Sequence, residues 1–530
     1  MKNSIKPQTE NHLFYVVGCF LLGFFLFYDL DIRYIYGYLL LGIVLAVFFV
    51  REVLRNGLGL ELNNLMQEMR RAGREKAFNA ERRASVFSGF KSGITAAFRI
   101  RISLLRLLYT LFTCAIVFFA LLPNSNKEHE AMSIMISMVI FLIFFLFAEP
   151  NKKEVGNILV AVQVMAALFA GYIIVMTMCP SLFYNHVYPY LSELSQDRAD
   201  ELMPLGYGAL IGGSTSYGIF VISFALFLNE FKVLTGKIKG VKQFILVVAT
   251  TVLYFTASLL VNRRSELISV LVAGFLLLVI SLLHREKAGG KERILAIGVI
   301  LVVQLLVLVL IAPTGYINRH INTINKFLPE QLQIGISAEQ PTLPDQPTDP
   351  TEPNEQEPSE KPDEPIDTNE LTSGRLALWK KAIELFREKP LFGIGWKQFV
   401  NHNTYLHNVH NTYLQWLCES GVVGFLILFP LFAAMYIISL IRTMRMMRKG
   451  NKLPQYIQEI AYISLGVQTL FLILHLMDST FYHLYFFIFY SFTMLLTETA
   501  LRFEDGYTGE DSDCLRRKLF SKKKTRMFLR

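Results

Sequence analysis

Charge is scarce in this sequence. Asp, Glu, Lys and Arg make up 18% of the residues, where a soluble globular domain carries roughly 25%. Cysteine is scarce too. Cys19, Cys114, Cys179, Cys418 and Cys514 are scattered, and no Cys-x-x-Cys pair occurs. That spacing argues against a disulfide framework and against a structural zinc site. No cleavable signal peptide is expected ahead of the first apolar run. What is abundant is apolar surface. Hydrophobic residues are 53% of the 530, with 43 Phe and 23 Tyr. A single water-soluble core stops growing at about 250–300 residues, so lipid must cover much of this chain. A cytosolic enzyme and a secreted disulfide scaffold are both excluded. The net charge of +9 sits in short patches between apolar runs. This is a membrane-topology pattern, not a nucleic-acid footprint.

A helix needs about 20 apolar residues to cross the hydrocarbon. Twelve runs qualify, near 12–29, 34–50, 103–122, 132–148, 156–179, 208–231, 243–261, 265–283, 294–312, 422–441, 456–476 and 482–501. The expectation is an all-α integral membrane protein with about 12 transmembrane helices. Lys and Arg concentrate in 51–102, 232–242, 284–293, 442–455 and the tail 502–530. If twelve spans alternate, all of these fall on one side, which the positive-inside rule makes the cytoplasm. Both termini then lie on that side. Spans one and two fill 1–50, spans three to nine fill 103–312 and the last three fill 422–501. Segment 51–102 mixes Leu58, Leu60, Leu62, Leu65 and Met69 with many charges, and reads as a basic amphipathic helix on the anionic inner leaflet.

The large extracytoplasmic loop, 313–421, separates spans nine and ten. Within it, 338–370 is rich in Pro, Glu and Asp and has no aromatic residue. Such a stretch buries too little to offset chain ordering and is expected to be disordered. It is either a tolerated insertion or a spacer. From 372 to 421 the composition changes. Thr372 or Ser373 can cap a helix on which Arg375, Trp379, Ile383 and Phe386 fall near one face, and Pro390 stops it. Then Pro390-Leu-Phe-Gly393-Ile-Gly395-Trp396 makes a tight turn, followed by a stretch with His402, His407 and His410. The three histidines leave a zinc reading open, but no Cys or fourth ligand is at hand.

His410-Asn411, nine residues, then Gly421-x-x-Gly424, preceded by Arg375, Trp379 and the Gly393-Ile394-Gly395 turn, resembles the signature of the O-antigen ligase and polymerase family. The resemblance covers 240–440 at motif level. It implies a fold akin to the lipid-carrier glycosyltransferases (GT-C-like). It implies a metal-independent glycosyltransferase without cofactor, acting on glycans carried by undecaprenyl pyrophosphate at the outer membrane face. The partners to expect are that donor, a glycan acceptor, the bilayer, and a chain-length regulator or flippase. The resemblance also points to paired arginines near the start of a middle span, here Arg263 and Arg264. The acidic insertion 338–370 and the long segment 51–102 depart from the family pattern.

The chemistry wants such residues. A pyrophosphate leaving group gains negative charge as its bond breaks, and fixed cations stabilise it. Arginine binds phosphate oxygens in bidentate fashion and stays charged. Arg263, Arg264 and Arg375 are therefore candidate catalytic cations, with Arg319 a weaker one. The acceptor hydroxyl needs a base, and histidine titrates near neutrality. His410 is the candidate. His407 and His402 line the site or serve only structure. Asn411 either orients a hydroxyl or caps the following helix. Glu419 serves acid–base work or a structural contact. Gly421 and Gly424 let helices approach closely. Trp379, Trp396 and Trp416 stack on sugars or anchor at the interface.

The leading expectation is a polymerase of lipid-linked repeat units. The rival is a ligase passing the finished glycan to another acceptor, with the same donor chemistry. A rival of another class is a polysaccharide transporter or flippase. Against it, no internal repeat is evident and charges do not recur along the spans as a relay would need.

Overall fold

A computed structural model of the chain describes residues 103–147, 152–190, 213–234, 240–261, 264–283, 375–403, 408–448 and 453–504, with a few isolated positions besides. The first two expected spans, the basic segment 51–102, the acidic insertion 338–370, more than half of the ninth span and the tail beyond Glu504 lie outside the described residues.

All regular structure among the described residues is helical. In chain order the helices are α1 (Leu104–Leu121), α2 (His129–Phe147), α3 (Lys152–Met178), α4 (Pro180–His186), α5 (Gly213–Leu234), α6 (Gly240–Leu260), α7 (Arg264–Leu283), α8 (Arg375–Glu388), α9 (Thr412–Arg448), α10 (Gln455–Leu474) and α11 (Leu484–Glu504). Short 3₁₀ turns follow at Phe399–His402 and Thr480–Tyr482. Among the described residues five stretches are long and apolar enough to cross a membrane: Leu104–Leu121, Val155–Met178, Gly240–Leu260, Thr412–Met447 and Gln455–Leu474. The reason is compositional, since runs of Leu, Val, Ile and Phe satisfy the backbone inside the helix and leave apolar side chains for lipid.

Helix α10 is the centre of the bundle. It packs on α11, α7, α5 and α9, while α1 lies along α9 and α3 against α5 and α6. From Ile457 to Phe471 every side chain of α10 is buried, as in a helix surrounded by helices. Small residues permit the close crossings. A Cβ on Gly466 would meet Leu277 and Phe227 at 2.6 and 2.8 Å. Aromatic rings fill the space toward the turn after α10. Phe220 stacks on Phe471 at 5.0 Å, and Phe481 lies between Trp416, Phe471 and Tyr490.

Several charged side chains inside the helices are paired with one another. Arg106 and Glu498, on α1 and α11, are almost wholly buried and pair at 3.6 Å. Arg106 also donates to the carbonyl of Leu146, and Ser103 Oγ donates to Glu498. Arg442 of α9 pairs with Glu504 of α11 at 2.9 Å. These contacts tie the same ends of α1, α2, α9 and α11 together. They satisfy one another as a structural pair does, and do not form a file of titrating groups.

Helix α9 is two helices in one. At Gly421 the backbone turns to φ 67°, ψ −171°. A nine-residue segment therefore precedes the expected start of the tenth span at 422. That segment carries the residues between the His410-Asn411 pair and Gly421.

Candidate active site

The break in α9 is closed by the glycine turn that precedes it. An interrupted helix leaves carbonyls and amides without partners. Here the Ile394 and Gly395 amides donate to the carbonyls of Cys418 and Glu419, both at 2.9 Å. In return the Val422 and Val423 amides donate to the carbonyls of Pro390 and Leu391, at 2.8 and 3.2 Å. The turn is thereby spliced into the helix by backbone alone. This is why glycine stands at three of the positions. Gly393 and Gly395 have φ of 69° and 114°, in the left-handed region that favours glycine. A Cβ on Gly393 would collide with the Glu419 backbone, one on Gly395 with Asn124, and one on Gly421 with Leu391. Gly424 is different: its Cβ would meet the Ser420 side chain and, at 3.0 Å, the Phe119 ring.

The turn is clasped from its other side by the end of α1. Asn126 donates its amide to the Trp396 carbonyl at 2.9 Å, and Ser125 Oγ accepts from the Trp396 amide at 3.1 Å. Trp396 then stacks on Tyr482 at 4.3 Å. Glu419 is buried beneath. Its carboxylate accepts the Lys397 and Phe399 amides at 2.8 and 3.1 Å and the Gln415 side chain at 3.2 Å. Three donors on one carboxylate make it a fixed strut for the turn.

His410 sits immediately ahead of α9. Its φ is 53°, a strained choice for a residue with a Cβ. Asn411 next to it caps α9, its Oδ1 accepting the Leu414 amide at 3.0 Å, while its Nδ2 donates to the Leu476 carbonyl at 3.2 Å. Thr412 is tied to the same turn, its hydroxyl donating to the Asp478 carbonyl at 2.8 Å and its amide to the His475 carbonyl at 2.9 Å. With its neighbours held, the His410 ring reaches Asp478. Nδ1 lies 3.2 Å from Asp478 Oδ1, and the imidazole is about one-third exposed. Asp478 Oδ1 is itself held by the Ser479 amide at 2.8 Å. A carboxylate facing Nδ1 favours the proton there and leaves Nε2 as the basic nitrogen. A partly exposed imidazole with a carboxylate at Nδ1 is an arrangement that can carry general-base chemistry.

Helix α8 carries Arg375 and Trp379, both half-buried. It docks through Leu378, Ala382 and Leu385 onto Ile394, Phe399, Val409 and Cys418. The buried stripe is thus rotated from the face bearing Arg375, Trp379, Ile383 and Phe386, and Ile383 is exposed. Val409 joins this helix to His410 in sequence. Arg264 opens α7, which packs on α10 and α5. Arg263, Arg319 and His407 lie outside the described residues. His402 is in the 3₁₀ turn, its Nδ1 2.8 Å from the Gln398 carbonyl oxygen. Among the described residues no three His, Cys, Asp or Glu side chains converge as metal ligands.

The order of these parts along the chain matches a known family. Residues 249–429 fit the family model described as O-antigen ligase. Over these residues the chain is similar to the O-antigen ligase family. No curated protein matches the chain. The O-antigen ligase match begins within α6, takes in α7, α8, the glycine turn and His410, and ends within α9. Asp478 lies beyond it. Sequence reasoning missed Asp478, which sits 68 residues from His410. The one sequence signal was an acid in a polar turn, Asp478-Ser479-Thr480, between two apolar runs.

Proposed function

We propose that the protein is a membrane glycosyltransferase that lengthens a polysaccharide carried on undecaprenyl pyrophosphate, adding repeat units at the extracytoplasmic face of the membrane. The observation that carries this reading is the contact of His410, inside the matched residues at the start of α9, with Asp478 beyond them. In the reaction His410 Nε2 takes the proton of an acceptor sugar hydroxyl. That oxygen attacks the anomeric carbon of the donor glycan, and the bond from this carbon to the pyrophosphate oxygen breaks. The lipid pyrophosphate leaves with the bonding electrons. Arg375 and one of Arg263 and Arg264 balance its growing charge. Direct attack inverts the anomeric centre. Asp478 is a positioning residue: it holds the tautomer and stabilises the imidazolium once the proton is taken. Asn411 and Glu419 hold the frame, and Trp379 on α8 offers a wall for sugar rings.

A ligase is the second reading, favoured by the description of the matching family. Donor chemistry is shared and only the acceptor differs. The test is to delete the chromosomal copy and restore either the native chain or His410→Ala. Membrane expression is checked, and lipid-linked and surface glycans are sized on a gel. Single repeat units accumulating on the carrier support the polymerase. Long lipid-linked chains without transfer support the ligase. A native pattern from His410→Ala removes His410 from catalysis and, with it, this proposal.

A further inference from the structure

We propose that the glycine turn is also a membrane anchor: Leu391 and Phe392 insert into the bilayer leaflet on the side of His410, and basic residues of α8 bind anionic phospholipid headgroups around them. Two observations carry it. The first is depth. The Leu391 carbonyl accepts the Val423 amide, and Pro390 accepts that of Val422, so the turn is fixed to the level at which the continuous part of α9 begins. From Val423 to Arg442, the first basic residue at its far end, that helix rises about 29 Å at 1.5 Å per residue. This is the thickness of the hydrocarbon. If Arg442 marks one interface, Val423 marks the other, and the two residues hydrogen-bonded beside it lie at the hydrocarbon edge.

The second observation is surface chemistry. Leu391 and Phe392 are 60% and 53% exposed, although the flanking Gly393 to Trp396 are buried. Two consecutive large apolar side chains on the outside of a packed turn need a cover. Nearby, Phe118 and Leu121 near the end of α1 and Leu426 of α9 are exposed as well, and α1 and α9 are joined where Phe119 meets Gly424. The turn therefore continues a lipid-facing surface. Residues 375–389 hold five basic side chains, Arg375, Lys380, Lys381, Arg387 and Lys389, against Glu384 and Glu388. An excess of positive charge beside an apolar wedge fits an anionic lipid surface. The consequence for the site is direct. The backbone that holds the helix break is itself held at the depth where a lipid-linked pyrophosphate lies.

The inference rests on the reading of α9 beyond Gly421 as a membrane span and not on the reaction, so the test measures depth alone. An environment-sensitive fluorophore is placed at Phe392→Cys, Lys380→Cys or Leu426→Cys, in full-length protein whose five natural cysteines are replaced by alanine. Each is reconstituted in nanodiscs of phosphatidylcholine with or without phosphatidylglycerol. The expected result at 392 is blue-shifted emission, lost when spin-labelled acyl chains are included and insensitive to aqueous iodide. The label at 380 is quenched by iodide, and the blue shift at 392 is larger with phosphatidylglycerol. A label at 392 quenched by iodide and indifferent to spin-labelled lipid overturns the anchor. Equal shifts in the two lipids overturn the role given to the basic residues. If the label at 426 also reads water, the span premise fails and the anchor with it, whatever the enzyme's activity.

Discussion

His410 depends on a partner far away in sequence. A histidine ahead of a capped helix, followed at fixed spacing by two glycines, is legible in the sequence because helix geometry turns spacing into position. The carboxylate that orients it is not, because only the packing of α9 against α10 brings the turn at 475–482 to His410. Asp478→Asn keeps the shape and most of the hydrogen bonds but offers an amide where Nδ1–H expects an anion. The expected outcome is a loss of turnover of roughly a hundred- to ten-thousand-fold with donor binding little changed, by analogy with carboxylate–histidine pairs elsewhere. Rates of the purified protein over a pH series check it. A structural role alone would lower the amount of folded protein and leave the pH profile of the remainder in place. Asn411 and Glu419 left alternatives open at the sequence level. Their coordinates show a cap and a strut, which require knowledge of which amides face them.

At the scale of elements, hydropathy located the described apolar helices, because a run of apolar residues must shield its own backbone in lipid. It did not locate the start of α9. The segment 412–420 contains Gln415, Glu419 and Ser420, and the Glu419 carboxylate is satisfied by amides of a turn that hydropathy does not connect to it. The glycines of this joint were legible as a turn, while the reason for each was a backbone across the contact. A substitution series separates the two requirements. Gly240 has φ of 82° with open space around it, and Gly171 lies in a helix with open space. Gly171→Ala should be neutral or slightly stabilising. Gly240→Ala should cost about 1 kcal/mol, from the backbone conformation alone. Gly395→Ala and Gly421→Ala add a collision with backbone that has nowhere to go. These two should lower the melting temperature most, and Gly424→Ala should also exceed Gly240→Ala, since its Cβ would meet the Ser420 side chain, Cβ included, and the Phe119 ring. Thermal unfolding in detergent measures the order. A Gly421→Ala protein as stable as the Gly240→Ala protein would contradict the splice.

Across the whole molecule, one end of the bundle is fastened by ions. Arg106 and Glu498 lie nearly four hundred residues apart in sequence and were passed over because a single charge inside an apolar run carries little signal by itself. Breaking a buried pair from one side strands a charge, which costs about 3–5 kcal/mol, whereas replacing both partners by apolar residues is often close to neutral. Glu498→Leu alone should therefore be much less stable than the combined Arg106→Met, Glu498→Leu protein. A double-mutant cycle on unfolding temperature reads the difference. Additive losses would show that the two side chains do not interact. The lipid-facing helices were legible at this scale as well, since exposed Leu, Ile and Phe on α1, α3 and α9 are what a bilayer covers.

The splice between the glycine turn and α9 joins residues 24 to 32 apart in sequence, so α8, the turn and the first part of α9 make a short-range unit. Such a unit travels intact when chains recombine. Asp478 does not travel with it. A chimera that receives 375–429 from this protein acquires the imidazole and its supporting backbone, but takes its carboxylate from the host. A swapped cassette therefore keeps the histidine–carboxylate contact only in hosts whose turn between α10 and α11 already offers an acid at the matching place.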